Sequence, residues 1–491
     1  MDLGAELETH LRVFAGGPVE VREAGTRLAL LPELSWEVRG KAASPLLHLW
    51  SGQFQLTRRI VAIAETSASS LTLSVQRFGR RKPDRLEVIR GDYQRAAREI
   101  RREEFSARLR NFLAQAFPDE QVESLSAAAD LEHSLSGSYV RGTLRRGSSR
   151  WAFLAAKEGE SAAPAENALT FALLWLDRVR QTSRGGSVEG LRLILPAGSG
   201  AAAAHRLACL DPRLRVDLFE LDESRETLTK TDAALRENLR TWLVPAREAE
   251  SLLAEAGPAL EPIASRFPAA ITLHTLSETR EVWLRFRGLP FACWTESRVF
   301  FGLDGARQEL TPASRPGLEK LLRELELHRA PLATETKHPL YRGHAERWLQ
   351  AMVASDVARM DALLDPSFLY EQVFAATAAD RGVIDLLAVT RAGRLAILEL
   401  KADEHIHLPL QAADYWLRVR RHQLNGDFPR HGYFRGVGLQ DAAPLVFLVA
   451  PALRFHPATD TLLRFLAPEV QVVRVGLAEN WRRGLRVVMR Q

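Results

Sequence analysis

Apolar and polar residues alternate in short runs through the first 90 residues of the chain. Because successive side chains of a strand point to opposite faces of a sheet, a period of two is typical of strands with one buried face. From residue 92 to about residue 116 the period becomes helical. Residues 1–90 are therefore predicted to form a β-rich domain. The alternating runs, which Gly, Pro and Ser interrupt, lie at 28–31, 46–50, 60–64 and 71–75.

The remainder of the chain mixes strand and helix patterns, which predicts a multidomain α/β protein. An Ala- and Pro-containing stretch at 330–339 has the composition of a linker. After it, a helix at 345–363 and an apolar run at 368–374 lead into a predicted hairpin. The hairpin strands are 383–389 and 395–400, and Gly393 in the turn between them can adopt positive φ. Upstream of the linker, the predicted strands are 138–144, 151–156, 191–195, 282–286 and 299–301, and the predicted helices are 168–180 and 318–327.

Two parts of the chain follow one pattern. Residues 138–157 match residues 382–401 when residue n of the first is aligned with residue n + 244 of the second, and Trp175 and Trp416 lie in the helix after each. Repetition of a supersecondary pattern predicts related structural units. We therefore predict four regions: a β-rich domain at 1–90, a repeat unit at 91–240, a mixed α/β middle region with linker at 241–338, and a C-terminal domain at 339–491.

Composition narrows the class of protein. The chain has 491 residues, and 46% of them are hydrophobic, which is enough for several buried cores. No apolar stretch reaches the length of a membrane span and no signal peptide pattern is present, so we expect a cytoplasmic protein without membrane association. Two cysteines, Cys209 and Cys293, are too few for a disulfide framework or a zinc cluster.

The net charge of +5 is concentrated in one window. Residues 77–108 contain eleven Lys or Arg and six Asp or Glu, so this window alone carries the excess. Basic windows of this kind favour phosphate backbones, although a solvated face is the alternative. The residues that we predict to contact nucleic acid here are Arg77, Arg80, Arg81 and Lys82.

Charged residues interrupt the two apolar strands of the predicted hairpin. Asp385 lies in the first strand, and Glu399 and Lys401 lie in the second with the spacing that places them on one face. Burying charges without partners is costly, which favours a metal-binding or catalytic role. A carboxylate pair can hold Mg²⁺ or Mn²⁺, and the ammonium can orient water and offset phosphate charge. The alternative is a structural ion pair between Glu399 and Lys401.

This pattern resembles that of the PD-(D/E)XK, or restriction-endonuclease-like, nuclease superfamily. The resemblance covers about residues 346–415 and implies an α/β/α nuclease core. It implies Asp385, Glu399 and Glu346 as metal ligands, with Lys401 and Gln411 completing the catalytic set. The residue before Asp385 is Ile384, where the superfamily motif has proline. An exposed helix-start position is the alternative for Glu346.

Two further residue sets bear on the site. Glu371 competes with Glu346 for the same role. In the upstream repeat, the n + 244 alignment places Arg141 against Asp385, Ala155 against Glu399 and Lys157 against Lys401. That unit is therefore predicted to be a degenerate copy without a metal site, in which Arg141 and Lys157 can still contact a phosphate backbone.

The resemblance implies a Mg²⁺-dependent endonuclease that hydrolyses nucleic acid, DNA more than RNA, in repair or phage defence. Because only one metal site is visible per chain, cutting both strands of a duplex would need a homodimer. The alternative function is a non-catalytic platform that binds or assembles on nucleic acid with a retained nuclease fold.

Overall fold

The structure is a computed structural model, and it divides the chain into two compact units, Met1–Asn111 and Phe112–Gln491. In the described residues the chain is a mixed α/β protein with four sheets, in agreement with the predicted fold class. None of the helices described is both long and apolar enough to cross a membrane. The structure describes all residues except 1–2, 16–18, 32–33, 40–43, 52–53, 77–82, 131, 158–161, 184–185, 232–240, 277–278, 304–305 and 378–381.

The first unit is built on one antiparallel sheet of seven strands in the order β2-β1-β7-β6-β5-β4-β3. Helix α1 contributes Leu7 and Leu11 to a core formed with sheet residues such as Leu49 and Val75. The four alternating runs all lie within strands of this sheet. The elements are α1 (Leu3–Leu11), β1 (Val19–Glu23), β2 (Thr26–Leu31), β3 (Ser35–Arg39), β4 (Leu46–Ser51), β5 (Phe54–Thr66), β6 (Ser70–Gln76), β7 (Asp84–Arg90) and α2 (Gly91–Ala116), which crosses the unit boundary.

The second unit begins with a lobe of residues 112–231, called here the upstream lobe. Its sheet has the order β13-β12-β11-β10-β9-β8; β8, β9 and β10 are antiparallel, and β10, β11 and β12 are parallel. The elements are β8 (Gln121–Ser126), β9 (Tyr139–Arg146), β10 (Ser149–Ala156), α3 (Ala162–Thr182), β11 (Ser187–Pro196), α4 (Gly200–Leu207), β12 (Val216–Asp222) and β13 (Thr227–Lys230).

The middle region, residues 241–338, forms a five-stranded sheet in the order β15-β16-β17-β18-β19, with its own core beneath α5 and α6. Its first strand, β14, pairs instead with the C-terminal sheet, where Thr241 lies opposite Thr377. The elements are β14 (Thr241–Leu243), α5 (Ala246–Ala264), β15 (Ile271–Leu276), β16 (Glu281–Phe286), β17 (Leu289–Thr295), β18 (Arg298–Phe301), β19 (Gln308–Glu309) and α6 (Arg315–His328).

Residues 339–491 form the downstream lobe, whose sheet has the order β14-β20-β21-β22-β23-β24-β25. Its elements are α7 (Pro339–Arg342), α8 (Ala345–Ser355), β20 (Leu364–Thr377), β21 (Val383–Thr390), β22 (Leu395–Leu400), α9 (Leu408–Leu424), α10 (Asp427–Arg430), β23 (Leu445–Pro451), α11 (Thr459–Leu463), β24 (Gln471–Leu477) and β25 (Val487–Arg490).

Two local features of the downstream lobe compare directly with the sequence analysis. The helix predicted over 345–363 was too long, because Asp356 leaves the helical region with φ −154° and ψ 64° and α8 ends at Ser355. In the hairpin turn Gly393 has φ 88°, and a Cβ atom there would lie 2.1 Å from the Gly438 carbonyl oxygen. Glycine therefore meets both the conformational and the steric requirement of this turn.

The two lobes have the same topology. In each, three antiparallel strands are followed by a helix, a parallel strand, a second helix, another parallel strand and an antiparallel edge strand. The core beneath the helices is continuous between them, since one cluster contains residues of both, such as Leu154, Leu173, Ile397 and Leu462. The upstream and downstream lobes thus form one packed body.

The backbone contacts between the lobes are reciprocal. Leu210 pairs with Leu466 in an antiparallel bridge. The Asp211 N–H donates to the Phe465 carbonyl at 2.9 Å, and the Ala467 N–H donates to the Cys209 carbonyl at 2.8 Å. These two bonds exchange when residue n is replaced by residue n + 256. Every antiparallel bridge has two such bonds, but this one joins equivalent positions of the two lobes, since Leu218 and Arg474, in corresponding rows of the two sheets, also differ by 256. Contact between equivalent residues relates the lobes here by an approximate dyad.

Arg329 joins the middle region to the start of α8. Its side chain is 0% exposed, and its guanidinium donates to five backbone carbonyls, those of Phe286, Arg287, Leu340, Gly343 and His344. The guanidinium also lies 4.8 Å from the centre of the Trp348 ring. The neighbouring Gly288 has φ 79°, and a Cβ atom there would lie 2.2 Å from the Arg347 carbonyl oxygen. The position of α8 therefore depends on the middle region.

We expect Arg329→Met to lower the free energy of unfolding of the second unit by about 3 kcal/mol, because buried carbonyls lose their donors. Chemical denaturation followed by tryptophan fluorescence measures this, with Trp348 beside the mutated site. Arg323→Met is the matched control, since Arg323 is exposed on α6, the helix that ends immediately before Arg329. Equal effects of the two substitutions would show that Arg329 does not hold the two regions together.

Candidate active site

Asp385 and Glu399 lie next to each other on paired strands. β21 and β22 are antiparallel with Leu386 opposite Leu398, so the next pair in the same register is Asp385 and Glu399. Residues opposite each other in an antiparallel pair have side chains on the same face. The Leu400 N–H donates to the Asp385 carboxylate at 2.9 Å. The hairpin therefore brings two carboxylates together at one end of the sheet.

Lys401 joins this pair from the end of β22. Its backbone N–H donates to the Val449 carbonyl at 3.0 Å, which continues the pairing with β23. Its ammonium donates to Glu399 at 3.0 Å and lies 3.7 Å from a Glu346 carboxylate oxygen. Glu399 is 1% exposed, whereas the Glu346 side chain, in the first turn of α8, is 52% exposed. The four residues thus form a cluster with a buried end and an open end.

Burial and mutual repulsion control protonation in this cluster. Burial raises the pKa of Asp385 to about 6, against the opposing effects of Lys401 and the Leu400 N–H. Burial also raises the pKa of Glu399 well above its usual value, and the charge of Asp385 raises it further. Burial by itself would lower the pKa of Lys401, but the three neighbouring carboxylates raise it. The cluster therefore favours additional positive charge.

One oxygen of the cluster lacks a partner. Glu399 Oε2 is buried and has no hydrogen-bond partner among the described residues. A buried acceptor without a donor is costly, and more so when it carries charge. Carboxylate oxygens are the ligands that Mg²⁺ and Mn²⁺ prefer. The donor set of Asp385, Glu399 and Glu346 therefore fits a hard divalent cation.

Gln411 and Tyr415 lie one turn apart on α9. The Gln411 amide donates to the Tyr415 hydroxyl at 3.2 Å. Burial raises the pKa of Tyr415, and the charges of Glu399 and Asp385 raise it further, which places this phenol within electrostatic range of the carboxylates. Among the described contacts Gln411 bonds to Tyr415 and to none of the four cluster residues.

Glu371 belongs to a different polar network. It accepts a hydrogen bond from the Gln350 amide at 2.9 Å, and Gln372 donates to Gln350 at 3.2 Å. Arg285, from the middle region, donates to Gln372 at 2.9 Å. Gln350 and Glu346 share a face of α8. Of the two competing carboxylates, Glu346 contacts Lys401, and Glu371 does not among the described contacts. The geometry therefore favours Glu346 over Glu371 as the third carboxylate.

The upstream lobe has no equivalent carboxylates in this row of its sheet. Strand pairing places Glu399, Leu448 and Arg474 in one row, and the corresponding row holds Leu154, Leu193 and Leu218. Leu218 and Arg474 differ by the same 256 positions that relate the lobes at their contact. Arg141 lies opposite Leu154, so it takes the place of Asp385.

The n + 244 alignment is therefore wrong by one residue in the second strand. Leu154 and Ile397 face the shared core, whereas Phe153, which n + 244 would match to Ile397, does not belong to that cluster. A slip of one residue moves a side chain to the other face of a sheet. The counterparts of Glu399 and Lys401 are thus Leu154 and Ala156, not Ala155 and Lys157.

The structure describes only some of the residues that were predicted to contact nucleic acid. Arg77, Arg80, Arg81 and Lys82 lie outside the described residues. Arg141 is 5% exposed, its guanidinium lies 5.7 Å from the centre of the Trp175 ring, and burial lowers its pKa. Lys157 follows β10 and is partly exposed. The structure does not place these residues on one described surface.

A histidine cluster in the predicted linker was missed by the sequence analysis. His328, Glu335 and His338 have side-chain ligand atoms close enough to share a metal ion. The two imidazole rings, however, are stacked with centroids 3.7 Å apart and planes 7° apart. Lone pairs of stacked rings run parallel rather than converging on one point, so ring stacking describes this cluster better than coordination. Two histidines flanking Glu335 were the only sequence signal.

Comparison with known proteins adds nothing to this geometry. No family model matches the chain, and no curated protein matches it.

The pKa shift of Asp385 predicts how stability depends on pH without a divalent cation. Because its pKa is raised, the folded protein binds more protons than the unfolded chain, and the free energy of unfolding falls as pH rises from about 4 to about 7. We expect this fall in the free energy of unfolding to be about 2–3 kcal/mol smaller in Asp385→Asn. Chemical denaturation in EDTA across this pH range measures it. Asp441→Asn, in an exposed loop, should leave the dependence unchanged, and an equal effect there would contradict the assignment.

Cation binding should reverse this loss. At pH 8 we expect millimolar Mg²⁺ or Mn²⁺ to stabilise the folded protein by about 1 kcal/mol, since ligands that bind only the folded state shift the equilibrium towards it. Thermal denaturation with and without the cation measures the increment. It should be lost in Glu399→Gln and kept in Glu371→Gln, the control at a partly buried carboxylate outside the cluster. An increment that survives in Glu399→Gln would place the cation elsewhere.

Proposed function

We propose that this protein is a metal-dependent nuclease that hydrolyses phosphodiester bonds of nucleic acid, with DNA as the preferred substrate. The observation that carries the proposal is the convergence of Asp385, Glu399, Lys401 and Glu346, with one buried carboxylate oxygen that has no hydrogen-bond partner in the described part of the chain. Perturbed carboxylates beside a buried lysine are more typical of functional sites than of scaffold.

The surrounding fold supports a nuclease of the PD-(D/E)XK type. A helix bearing Glu346 precedes a β-meander, β20 to β22, and β22 continues through α9 to the parallel strand β23. The resemblance to the superfamily implies the same succession of a helix with Glu346, a strand with Asp385, a strand with Glu399 and Lys401, and a helix with Gln411. The upstream lobe repeats this order of elements without the acidic residues. This supports the interpretation of the upstream lobe as a degenerate copy.

The residues present fit a Mg²⁺ or Mn²⁺ ion held by Asp385 and Glu399, with Glu346 at the open end. When bound, the cation supplies Lewis-acid stabilisation of the phosphate and lowers the pKa of a water molecule. Lys401 is positioned to orient the attacking water and to offset negative charge on the phosphate. The water gives up a proton as its oxygen bonds to phosphorus, the bond from phosphorus to one ester oxygen breaks, and that ester oxygen takes up a proton.

Two alternatives remain distinct from this proposal. Glu399 and Lys401 do form an ion pair, but a purely structural pair would not need Asp385 beside it, since that carboxylate adds repulsion. A non-catalytic platform that binds nucleic acid with this fold would also contain the cluster. It differs by binding nucleic acid without cleavage in Mg²⁺ or Mn²⁺.

We expect Mn²⁺- or Mg²⁺-dependent DNA cleavage that falls on the order of 10³-fold in Lys401→Ala, because the variant loses the charge beside the phosphate. Timed digestion of plasmid and linear DNA measures the rate. Lys320→Ala on α6 is the control, since Lys320 is exposed and pairs only with Glu324 among the described contacts. Cleavage of equal rate in Lys401→Ala would reject this site, and binding without cleavage would favour the platform.

A further inference from the structure

We infer that one chain acts as an internally paired unit that cuts a single strand of duplex DNA, so that its product is a nick. The inference rests on the proposed nuclease function and specifies its substrate and product. Two observations carry it: the reciprocal contact between the lobes, and the difference between their two sheet rows.

The contact between the lobes has the form of a homodimer interface. The bridge of Leu210 with Leu466 joins equivalent positions of the two lobes, as the same 256-residue offset of Leu218 and Arg474 shows. A two-fold interface uses the same patch of both partners, so that residues near its axis meet their own equivalents. Helices α3 and α9 each pack against both α4 and α11, which extends the relation to the helical layer.

Side-chain contacts also join the two lobes at this surface. The Cys209 thiol donates to the Ala413 carbonyl at 3.0 Å, and His205 lies 2.9 Å from Asp414, which is buried. His407 hydrogen-bonds with Thr170 at 2.8 Å. Burial and apolar packing are features of an obligate interface. The surface through which a second copy of the downstream lobe would pair is therefore already occupied by the upstream lobe.

The partner lobe does not bring a second set of metal ligands. Leu154 lies in the row of Glu399, and Arg141 lies opposite it in the place of Asp385. A leucine offers no ligand, and a guanidinium repels a cation. Across the described dyad, one competent cluster therefore faces one that lacks both acidic ligands. Because the two lobes already pair within one chain, a homodimer is not needed to form this interface. The paired unit then has the ligands to cut only one strand of a DNA duplex.

A nick and a double-strand break have different kinetics. An enzyme with one competent cluster per paired unit converts supercoiled plasmid to open circles, and linear DNA appears only later, when a second independent nick falls opposite the first. An enzyme that joins two competent clusters produces linear DNA early. Its rate also rises faster than linearly with protein concentration, because two chains must meet.

The test incubates the full chain with supercoiled plasmid in Mn²⁺ and follows open-circular and linear products over time and over a range of protein concentrations. We expect open circles to form first, at a rate proportional to protein concentration, and a sedimentation mass of one chain, 54.9 kDa, in the absence of DNA. Lys401→Ala should abolish both products, which assigns the nick to the described cluster.

Linear DNA that forms together with open circles, or a rate that depends on the square of concentration, would overturn the inference while leaving the nuclease proposal intact. Cleavage of single-stranded circular DNA, while duplex plasmid stays uncut, would overturn the inference in the same way. A plasmid that stays supercoiled at every concentration of Mn²⁺ and Mg²⁺ would reject the nuclease proposal and this inference with it.

Discussion

Two carboxylates lie side by side at one end of a hydrophobic sheet, and their repulsion has to be balanced by positive charge. Burial raises the pKa of both Asp385 and Glu399, and the Lys401 ammonium offsets only part of the cost. In the upstream lobe the positions of Glu399 and Lys401 are apolar, as Leu154 and Ala156, and Arg141 takes the place of Asp385, so that no two like charges lie side by side there. The downstream lobe therefore gives up stability at this point, which is typical of functional sites.

The third carboxylate connects this local constraint to the rest of the second unit. Glu346 reaches Lys401 from α8, and the start of α8 is held through Arg329 and the turn at Gly288 in the middle region. A chain segment between the two lobes thus positions one side of the cluster. The open end of the cluster lies at Glu346, so the region that holds this helix also determines access to the carboxylates.

The relation between the lobes explains why the repeat was found and why its alignment was wrong in detail. A similar pattern of apolar residues was enough to show that residues 138–157 and 382–401 are related. The second strands, β10 and β22, are however nearly continuous apolar runs whose residues are buried on both faces, and the turn before them differs in length. Alignment by pattern can therefore slip by one residue, and each slip exchanges the faces of the sheet. Only the shared core, which contains Leu154 and Ile397, fixed the register.

The sequence by itself determined the α/β class, the hairpin at 383–400 and the residue types of the cluster, because these follow from periodicity and from charges within apolar strands. Tertiary structure decided which carboxylate joins Lys401, since Glu346 and Glu371 are the same residue type and the sequence does not show which partners folding gives them. It also decided that the lobes pair with each other, as no local pattern encodes the contact of Leu210 with Leu466. Secondary structure depends largely on residues that are close in sequence, whereas the partner of Lys401 and the pairing of the lobes depend on contacts between residues far apart in the chain.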